Sequence, residues 1–170
     1  MENKALLTYP NVGEIDVLIA RSLLITITYA MIMTLFYGGL ILLNLAEFPR
    51  NPHYIVQAFF ATAYLGSSFG LFNAALVSLW DSWRHIEKIL TRPLIFISGV
   101  FYVPALLPLE AGNLLWWNPV MHLVEWYRLG FYPTYPDTLI TPWWPLSIAT
   151  VFLVSGLTLE RFTRHKRSLS

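Results

Sequence analysis

Cysteine and charge are what this sequence has least of. Among 170 residues there is no cysteine, and Asp, Glu, Lys and Arg make up only 12%, about half of the roughly 25% typical of a soluble globular domain. The lack of cysteine excludes disulfides, a thiolate nucleophile and Cys-ligated metals. The formal net charge of +1 provides no global field that would attract nucleic acid, so a nucleic-acid partner is not expected.

Apolar and aromatic residues take the place of the missing charges. Hydrophobic residues make up 56% of the chain and aromatic residues 16%, with seven Trp and nine Tyr, and the mean hydropathy is +0.54. A small water-soluble domain cannot bury this much apolar surface. Trp and Tyr are also enriched where lipid meets water. The composition therefore predicts an all-α integral membrane protein.

Runs without charged residues define the predicted spans. Residues 22–46 and 55–80 contain no Asp, Glu, Lys or Arg, and each exceeds the roughly 20 helical residues that cross about 30 Å of hydrocarbon. Two weaker runs, 93–109 with its three prolines and 138–159, bring the prediction to four transmembrane helices. Residues 110–137 contain an uncharged stretch too short to cross. They are predicted to form a hairpin of two short, half-inserted helices.

The positions of Lys and Arg predict the orientation. With four crossings, one side of the membrane receives nine of the eleven basic residues and the other receives only Arg50 and Arg128. The nine-residue side is expected to be cytoplasmic, so both termini lie in the cytoplasm and residues 160–170 form a basic cytoplasmic tail. The asymmetry requires both weaker spans, and it therefore supports them.

A row of small side chains recurs every four residues along the second predicted span. Such a row lets another helix approach closely where lipid gives no hydrophobic drive for association. Its partner is either a helix of the same chain, the preferred interpretation, or a second subunit. Asn44, Asn73 and the threonines of the first span are interpreted as interhelical hydrogen-bonding groups. The row consists of Ala58, Thr62, Gly66, Gly70, Ala74 and Ser78.

The segment before the first span has the pattern of a short amphipathic helix. Asn11 is placed to cap a helix that begins at Val12, with Glu14 at the third position of a capping box. The apolar residues that follow keep to one face. Residues 1–21 are therefore predicted to lie on the cytoplasmic surface, either as a simple surface helix or as a docking element for a cytoplasmic partner.

A second helix start is predicted at Asn118 and Pro119, because a proline at the first helical position loses no hydrogen bond. This helix is expected to end around Gly130 and Pro133. Within it, Glu125 is expected to form an ion pair with Arg128 or with Arg50, since charges near a membrane usually have partners. Trp116, Trp117 and Trp126 are predicted to crowd around the helix, as would suit a gate or a surface that grips sugar rings.

No catalytic or metal signature accompanies this region. His122 and Glu125 at a spacing of three could be two metal ligands, but a catalytic zinc needs three protein ligands, and His53 lies in a separate loop without a motif. The sequence has no Ser/His/Asp order and no Walker motif. We therefore predict no catalytic residue, no metal and no cofactor bound by this chain itself.

Two long strings carry a resemblance to a known family. LLTYPNVGEIDVLIAR before a long span, NPVMHLVEWYRLGFYP after a proline-broken one, and the basic RFTRHKR at the C-terminus resemble the membrane subunit of ABC exporters for capsular polysaccharide. These exporters are type 2 ABC permeases, a group that also includes O-antigen exporters. The resemblance covers nearly the whole chain. It implies a single permease domain over 1–170, a homodimer in the inner membrane, and a separate cytoplasmic ATPase subunit that binds ATP–Mg.

The resemblance also implies roles for particular residues. The segment before the first span would match the cytoplasmic coupling helix, through Tyr9, Pro10, Asn11, Val12, Ile15, Asp16 and Arg21. The hairpin would match the extracytoplasmic gate helices, through Asn118, Pro119, His122, Glu125, Trp126, Tyr127 and Arg128. We further expect an aromatic-lined glycan path that includes Tyr102, Trp116, Trp117 and Trp126. Membrane lipid and periplasmic or outer-membrane export proteins would be further partners.

One departure from the family pattern is expected to matter. Family members have six spans and an amphipathic N-terminal helix, whereas this chain begins at what resembles the loop between the second and third spans. It therefore resembles the C-terminal part of such a permease. The alternatives are a non-transporting membrane scaffold, an exporter of O-antigen or teichoic-acid type, and a membrane enzyme acting on lipid-linked sugar through Glu110, His122 and Glu125.

Overall fold

A computed structural model describes residues 14–132, 134–136 and 140–168. The regular structure in these ranges is helical, which confirms the predicted class. The chain divides into two compact units, Met1–Phe48 and Pro49–Ser170. The helices, with their bounds, are α1 Glu14–Leu42, α2 Pro52–Leu79, α3 Trp83–Phe96, α4 Leu109–Trp116, α5 Pro119–Phe131 and α6 Trp143–Ser168, with a 3₁₀ turn at Pro104–Leu106.

α1 is one continuous helix in the first unit, without a break between a surface helix and a span. Residues Ile15–Leu42 are long and apolar enough to cross a membrane. The hydroxyls of Thr26 and Thr34 donate to carbonyls one turn earlier, at 2.8 Å in both cases, so they are satisfied inside the helix rather than between helices. Ile15, Asp16 and Arg21 lie in the first turns of α1. Tyr9, Pro10, Asn11 and Val12 lie outside the described residues.

Asn44 ends α1 through its backbone, and the interhelical role predicted for its side chain stays a prediction. Its φ is 57°, a left-handed conformation that Asn tolerates better than most residues. The Leu45 amide donates to the Leu40 carbonyl at 2.9 Å and the Asn44 amide to the Ile41 carbonyl at 2.9 Å. These two bonds form a Schellman motif, which satisfies carbonyls at a helix end.

α2 and α6 are parallel neighbours in the second unit. The Tyr64 hydroxyl lies 3.1 Å from that of Thr150, and the Phe72 ring lies 5.2 Å from that of Phe152. Because the contacting positions increase together along both helices, their N-termini lie at the same end. The two backbones come close at Gly156, where an added Cβ would lie 2.9 Å from the Phe72 amide nitrogen.

The row of small residues on α2 does not form one face. Ala58 is fully buried in the core, but nothing lies within 4 Å of where a Cβ would stand on Gly66 or Gly70. A step of four residues exceeds a 3.6-residue turn by about 40°, so the row winds around the helix. The preferred prediction that these two glycines pack against a helix of the same chain is wrong within this unit. The observed core contains Ala58, Ala61, Leu65, Leu123, Trp126 and Ala149.

Residues 83–131 carry the chain from one end of α2 back to the other. The Trp83 indole donates to the Asn73 side-chain oxygen at 2.9 Å, so α3 begins near the C-terminal part of α2, and Asn73 does join two helices as predicted. The Asn51 amide donates to the Gly130 carbonyl at 3.2 Å, so α5 ends at the start of α2. This return is what the parallel arrangement of α2 and α6 requires.

The return is not a single helix, and the span predicted over 93–109 is wrong in that respect. α3 contains 14 residues, about 21 Å at 1.5 Å per residue, which is short of the 30 Å or so of hydrocarbon. Pro93 lies inside its last turn, and Gly99 with a φ of 78° and Pro104 follow. Within the described residues, three helices are long and apolar enough to cross a membrane: Ile15–Leu42, Pro52–Leu79 and Trp143–Phe162.

Candidate functional site

The site predicted over 110–137 is a pair of short helices, α4 and α5, that precede α6. We call this pair the hairpin. α5 begins as predicted: Asn118 is the N-cap, its side-chain oxygen accepts from the Val120 amide at 3.0 Å, and Pro119 is the first helical residue. The Asn118 side-chain nitrogen donates to the Ile97 carbonyl at 3.1 Å. One buried side chain therefore caps α5 and joins it to the residue that follows α3.

His122 is fully buried on α5 and connects three segments. Its Nε2 lies 2.7 Å from the Trp116 carbonyl oxygen, and its Nδ1 lies 3.2 Å from the Thr141 amide nitrogen. Because an amide only donates, Nδ1 must accept, and this assigns the proton to Nε2. The neutral ring then donates to the end of α4 and accepts from the Thr141 amide, two residues before α6. Its observed role is to hold these helices together.

Glu125 and Arg128 form the predicted ion pair one turn further along α5. The distance from Nη1 to Oε1 is 2.6 Å, and the Glu125 side chain is fully buried. Arg50, the alternative partner, does not contact this carboxylate. The second terminal nitrogen of Arg128, Nη2, donates to the Gly99 carbonyl at 2.6 Å. The pair thus also reaches the connection between α3 and α4.

Tyr135 completes this network, and the sequence reasoning missed it. Its hydroxyl donates to the Glu125 carboxylate, 2.9 Å from Oε1 and 2.8 Å from Oε2. Burial, and then the hydrogen bond to this carboxylate, raise the pKa of Tyr135 to about 12. One argument from the sequence could have indicated a further donor. A buried carboxylate has more acceptor positions than one arginine fills. Nothing in the local periodicity singles out a residue between two prolines.

The tryptophans divide into two groups. Trp116 stacks on Trp144 with ring centroids 5.1 Å apart, and Trp117 meets Trp144 edge-on at 5.6 Å. Trp117 is 65% exposed. Trp126 faces the core instead, and Tyr127 packs against that core. Of the three tryptophans predicted to lie together around α5, Trp116 and Trp117 therefore do so and Trp126 does not. Tyr102 is half-buried in the connection after α3.

An open groove of about 650 Å³ lies beside the hairpin, between the N-terminal halves of α2 and α6. Its lining is mainly apolar and aromatic, and Trp126 forms part of it. The single side-chain amide in the lining belongs to Gln57. Such a surface offers ring faces and a few neutral polar groups, without charge. Its aromatic lining residues are Phe60, Tyr64, Trp126 and Trp143.

Residues 7–132 match the family described as ABC-2 type transporter. The match includes α1 to α5, and with them the broken return and the whole hairpin. The chain belongs to the ABC-2 type transporter family. ABC-2 proteins are transport permeases.

Individual ABC-2 relatives are named for capsule polysaccharide export or for polysialic acid transport. The chain is 30% identical over 139 residues to the capsule polysaccharide export inner-membrane protein BexB of Haemophilus influenzae, covering 82% of this chain and 51% of BexB. It is 28% identical over 170 residues to the polysialic acid transport protein KpsM of Escherichia coli, covering 99% of this chain and 65% of KpsM. It is 26% identical over 157 residues to CtrC of Neisseria meningitidis serogroup B, covering 92% of this chain and 59% of CtrC. The chain therefore spans about half to two thirds of the length of these curated relatives.

Proposed function

We propose that this chain is part of the membrane permease of an ABC exporter that passes capsular or another lipid-linked cell-surface polysaccharide across the inner membrane. The observation that carries the proposal is the similarity to BexB, KpsM and CtrC. The chain binds no cofactor itself in this proposal. A separate cytoplasmic ATPase binds ATP–Mg and supplies the energy, and two copies of the permease form the path.

The proposed topology has four crossings and both termini in the cytoplasm. α1, α2 and α6 are three of them, and residues 83–131 provide the fourth as a broken segment. The parallel order of α2 and α6 supports this parity, because the chain must return between them. The excess of Lys and Arg on one side then places the α2–α3 turn in the cytoplasm and the hairpin on the extracytoplasmic side.

The proposed coupling segment is residues 9–21, which would transmit closure of the ATPase subunits to α1. Ile15 and Asp16 belong to the first turns of α1, and the coupling role of Tyr9 to Val12 remains a prediction. Replacement of Asp16 is expected to uncouple ATP hydrolysis from export. If ATP hydrolysis and export remain coupled in that variant as in the wild type, the result would count against the coupling role.

The residues proposed for the glycan path have two tasks. Asn118, His122, Glu125 and Arg128 make hydrogen bonds within the protein, which suits holding the gate rather than touching cargo. The exposed Trp117 and the aromatic rings of the groove suit weak contact with sugar faces. Ring faces without charge allow a polymer to slide, whereas dense charge would retain an anionic polymer.

A comparison of two tryptophans tests this proposal. In the natural host, Trp117→Ala is expected to lower surface polysaccharide at unchanged protein level. The matched control is Trp80→Ala, an exposed tryptophan at the opposite end of α2. Equal export in both variants would reject the proposed path. Failure of the chain to co-purify with an ABC ATPase subunit would favour the scaffold alternative.

A further inference from the structure

Two irregular connections flank the hairpin, and both are bonded to the same buried ion pair. The first connection, residues 97–103, offers the Gly99 carbonyl to Arg128 Nη2 at 2.6 Å. The second connection, residues 134–136, offers the Tyr135 hydroxyl to Glu125 Oε2 at 2.8 Å. Arg128 Nη1 and Glu125 Oε1 are joined to each other, and both also contact the Tyr135 hydroxyl, at 3.4 Å and 2.9 Å.

We propose that Tyr135 is a positioning residue and that it forms, with Glu125 and Arg128, a latch that fastens both connections to α5. The hairpin and its two connections then move as one body. The role of this body as an extracytoplasmic gate rests on the function proposed above. The latch itself depends only on the contacts described here.

Stability alone gives a weak reason for charges at this position. A buried ion pair can often be replaced by apolar groups of similar volume at no loss, whereas removal of one partner leaves an unfavourable buried charge. Glu125 is fully buried, and Arg128 is 18% exposed. What an apolar pair could not do is bond a carbonyl on one side and a phenol on the other. The pair is therefore suited to fixing the positions of two segments.

The first connection makes this contact at a glycine with an unusual backbone conformation. Gly99 has a φ of 78°, a left-handed conformation that glycine adopts readily because it has no Cβ. An added Cβ there would also lie 2.7 Å from Pro104 Cγ. Gly99 is buried, so its carbonyl depends on the guanidinium for a hydrogen bond. The guanidinium of arginine donates from two terminal nitrogens in a fixed fork, whereas the three donors of a lysine ammonium all come from one nitrogen on a flexible stem.

Hydrogen–deuterium exchange on the full chain in lipid nanodiscs tests the latch. Tyr135→Phe is expected to raise exchange in the second connection about fivefold, the effect of losing a hydrogen bond of about 1 kcal/mol, with the first connection unchanged. Arg128→Lys, which keeps the charge, is expected to raise exchange more in the first connection than in the second, because Arg128 is 2.6 Å from the Gly99 carbonyl but 3.4 Å from the Tyr135 hydroxyl. The matched control is Tyr132→Phe, which removes a hydroxyl from an exposed neighbour and is expected to behave as wild type.

A conservative rescue separates positioning from packing. Glu125→Gln keeps an acceptor oxygen for Tyr135 and is expected to retain protection of the second connection. Glu125→Leu has similar size without the acceptor and is expected to lose it. Equal exchange in Tyr135→Phe and Tyr132→Phe would overturn the latch, as would a rise that extends through α2 and α6. If exchange changes as expected but export by Tyr135→Phe is normal, the latch stands and the gate role fails.

Discussion

At the residue scale, close packing between the two parallel spans depends on a single missing side chain. Gly156 brings α6 against the Phe72 backbone of α2, where a Cβ would be 2.9 Å from a backbone nitrogen. Backbone atoms inside a helix cannot rotate away as a side chain can. The two helices must therefore move apart if this position gains even a methyl group, and the aromatic contacts of Phe152 would loosen with it.

Gly156→Ala is expected to destabilise the protein by about 1–3 kcal/mol, the usual cost of overpacking a well-packed interior. The measurement is thermal unfolding in detergent. Gly66→Ala is the matched control, because it makes the same change where nothing lies within 4 Å, and it is expected to be neutral or slightly stabilising. A larger loss for Gly66→Ala than for Gly156→Ala would refute this account of α2–α6 packing.

Tyr135 gives a pH dependence with a definite sign. Its pKa of about 12 in the folded protein exceeds the ordinary value of 10.0. The stabilisation linked to this proton is therefore complete below pH 10 and lost as the pH rises through about 12. Subtracting the 295-nm titration of Tyr135→Phe from that of the wild type should leave a single step near pH 12. A step centred near 10 would contradict the burial and hydrogen bonding described for this hydroxyl.

At the element scale, contacts close in sequence could be predicted and distant ones could not. The Asn118–Pro119 start of α5 and the Glu125–Arg128 pair follow from spacings of one and three residues. The Thr141–His122 bond joins positions 19 apart, a separation that no helical period connects. The buried face of α2 was missed for a related reason, because it depends on where α6 lies and not on the pattern of α2 itself.

The start of α5 offers a test that separates two functions of Asn118. Asn118→Ala should cost about 1 kcal/mol for the lost cap and about 1 kcal/mol for the lost bond to Ile97. Asn118→Asp restores the cap acceptor but not the donor, and should recover about half of the loss. Chemical denaturation in detergent would measure both. Full recovery by the aspartate would show that the bond to the Ile97 carbonyl contributes nothing.

At the scale of the whole molecule, the sequence predicted that the chain returns between α2 and α6, but not that this return is broken into short helices. A charge count that required four crossings agrees with the return of residues 83–131 between two parallel helices. The form of that return differs because prolines at 93, 104 and 108 interrupt the helix. Irregular backbone within a membrane must be surrounded by protein or water rather than by lipid. Contacts with α5 provide part of the protein surroundings of this segment.

The cysteine-free sequence makes the sidedness directly measurable. A single cysteine at Trp117, in the exposed part of the hairpin, is expected to react with a membrane-impermeant maleimide in intact cells. A single cysteine at Ser82, in the exposed turn between α2 and α3, is expected to react only after the membrane is permeabilised. Labelling of both positions in intact cells would invalidate the proposed return across the bilayer.

The parallel pairing of α2 and α6 also constrains the order of biosynthesis. Tyr64 and Thr150, which meet in the structure, are 86 residues apart, so the ribosome must synthesise the return, the hairpin and the start of α6 before this contact can form. Until then the face of α2 that carries Ala61 and Leu65 lacks α6, its principal packing partner. A nascent chain arrested before Trp143 would therefore remain a substrate for membrane quality control, however well its earlier spans had been inserted.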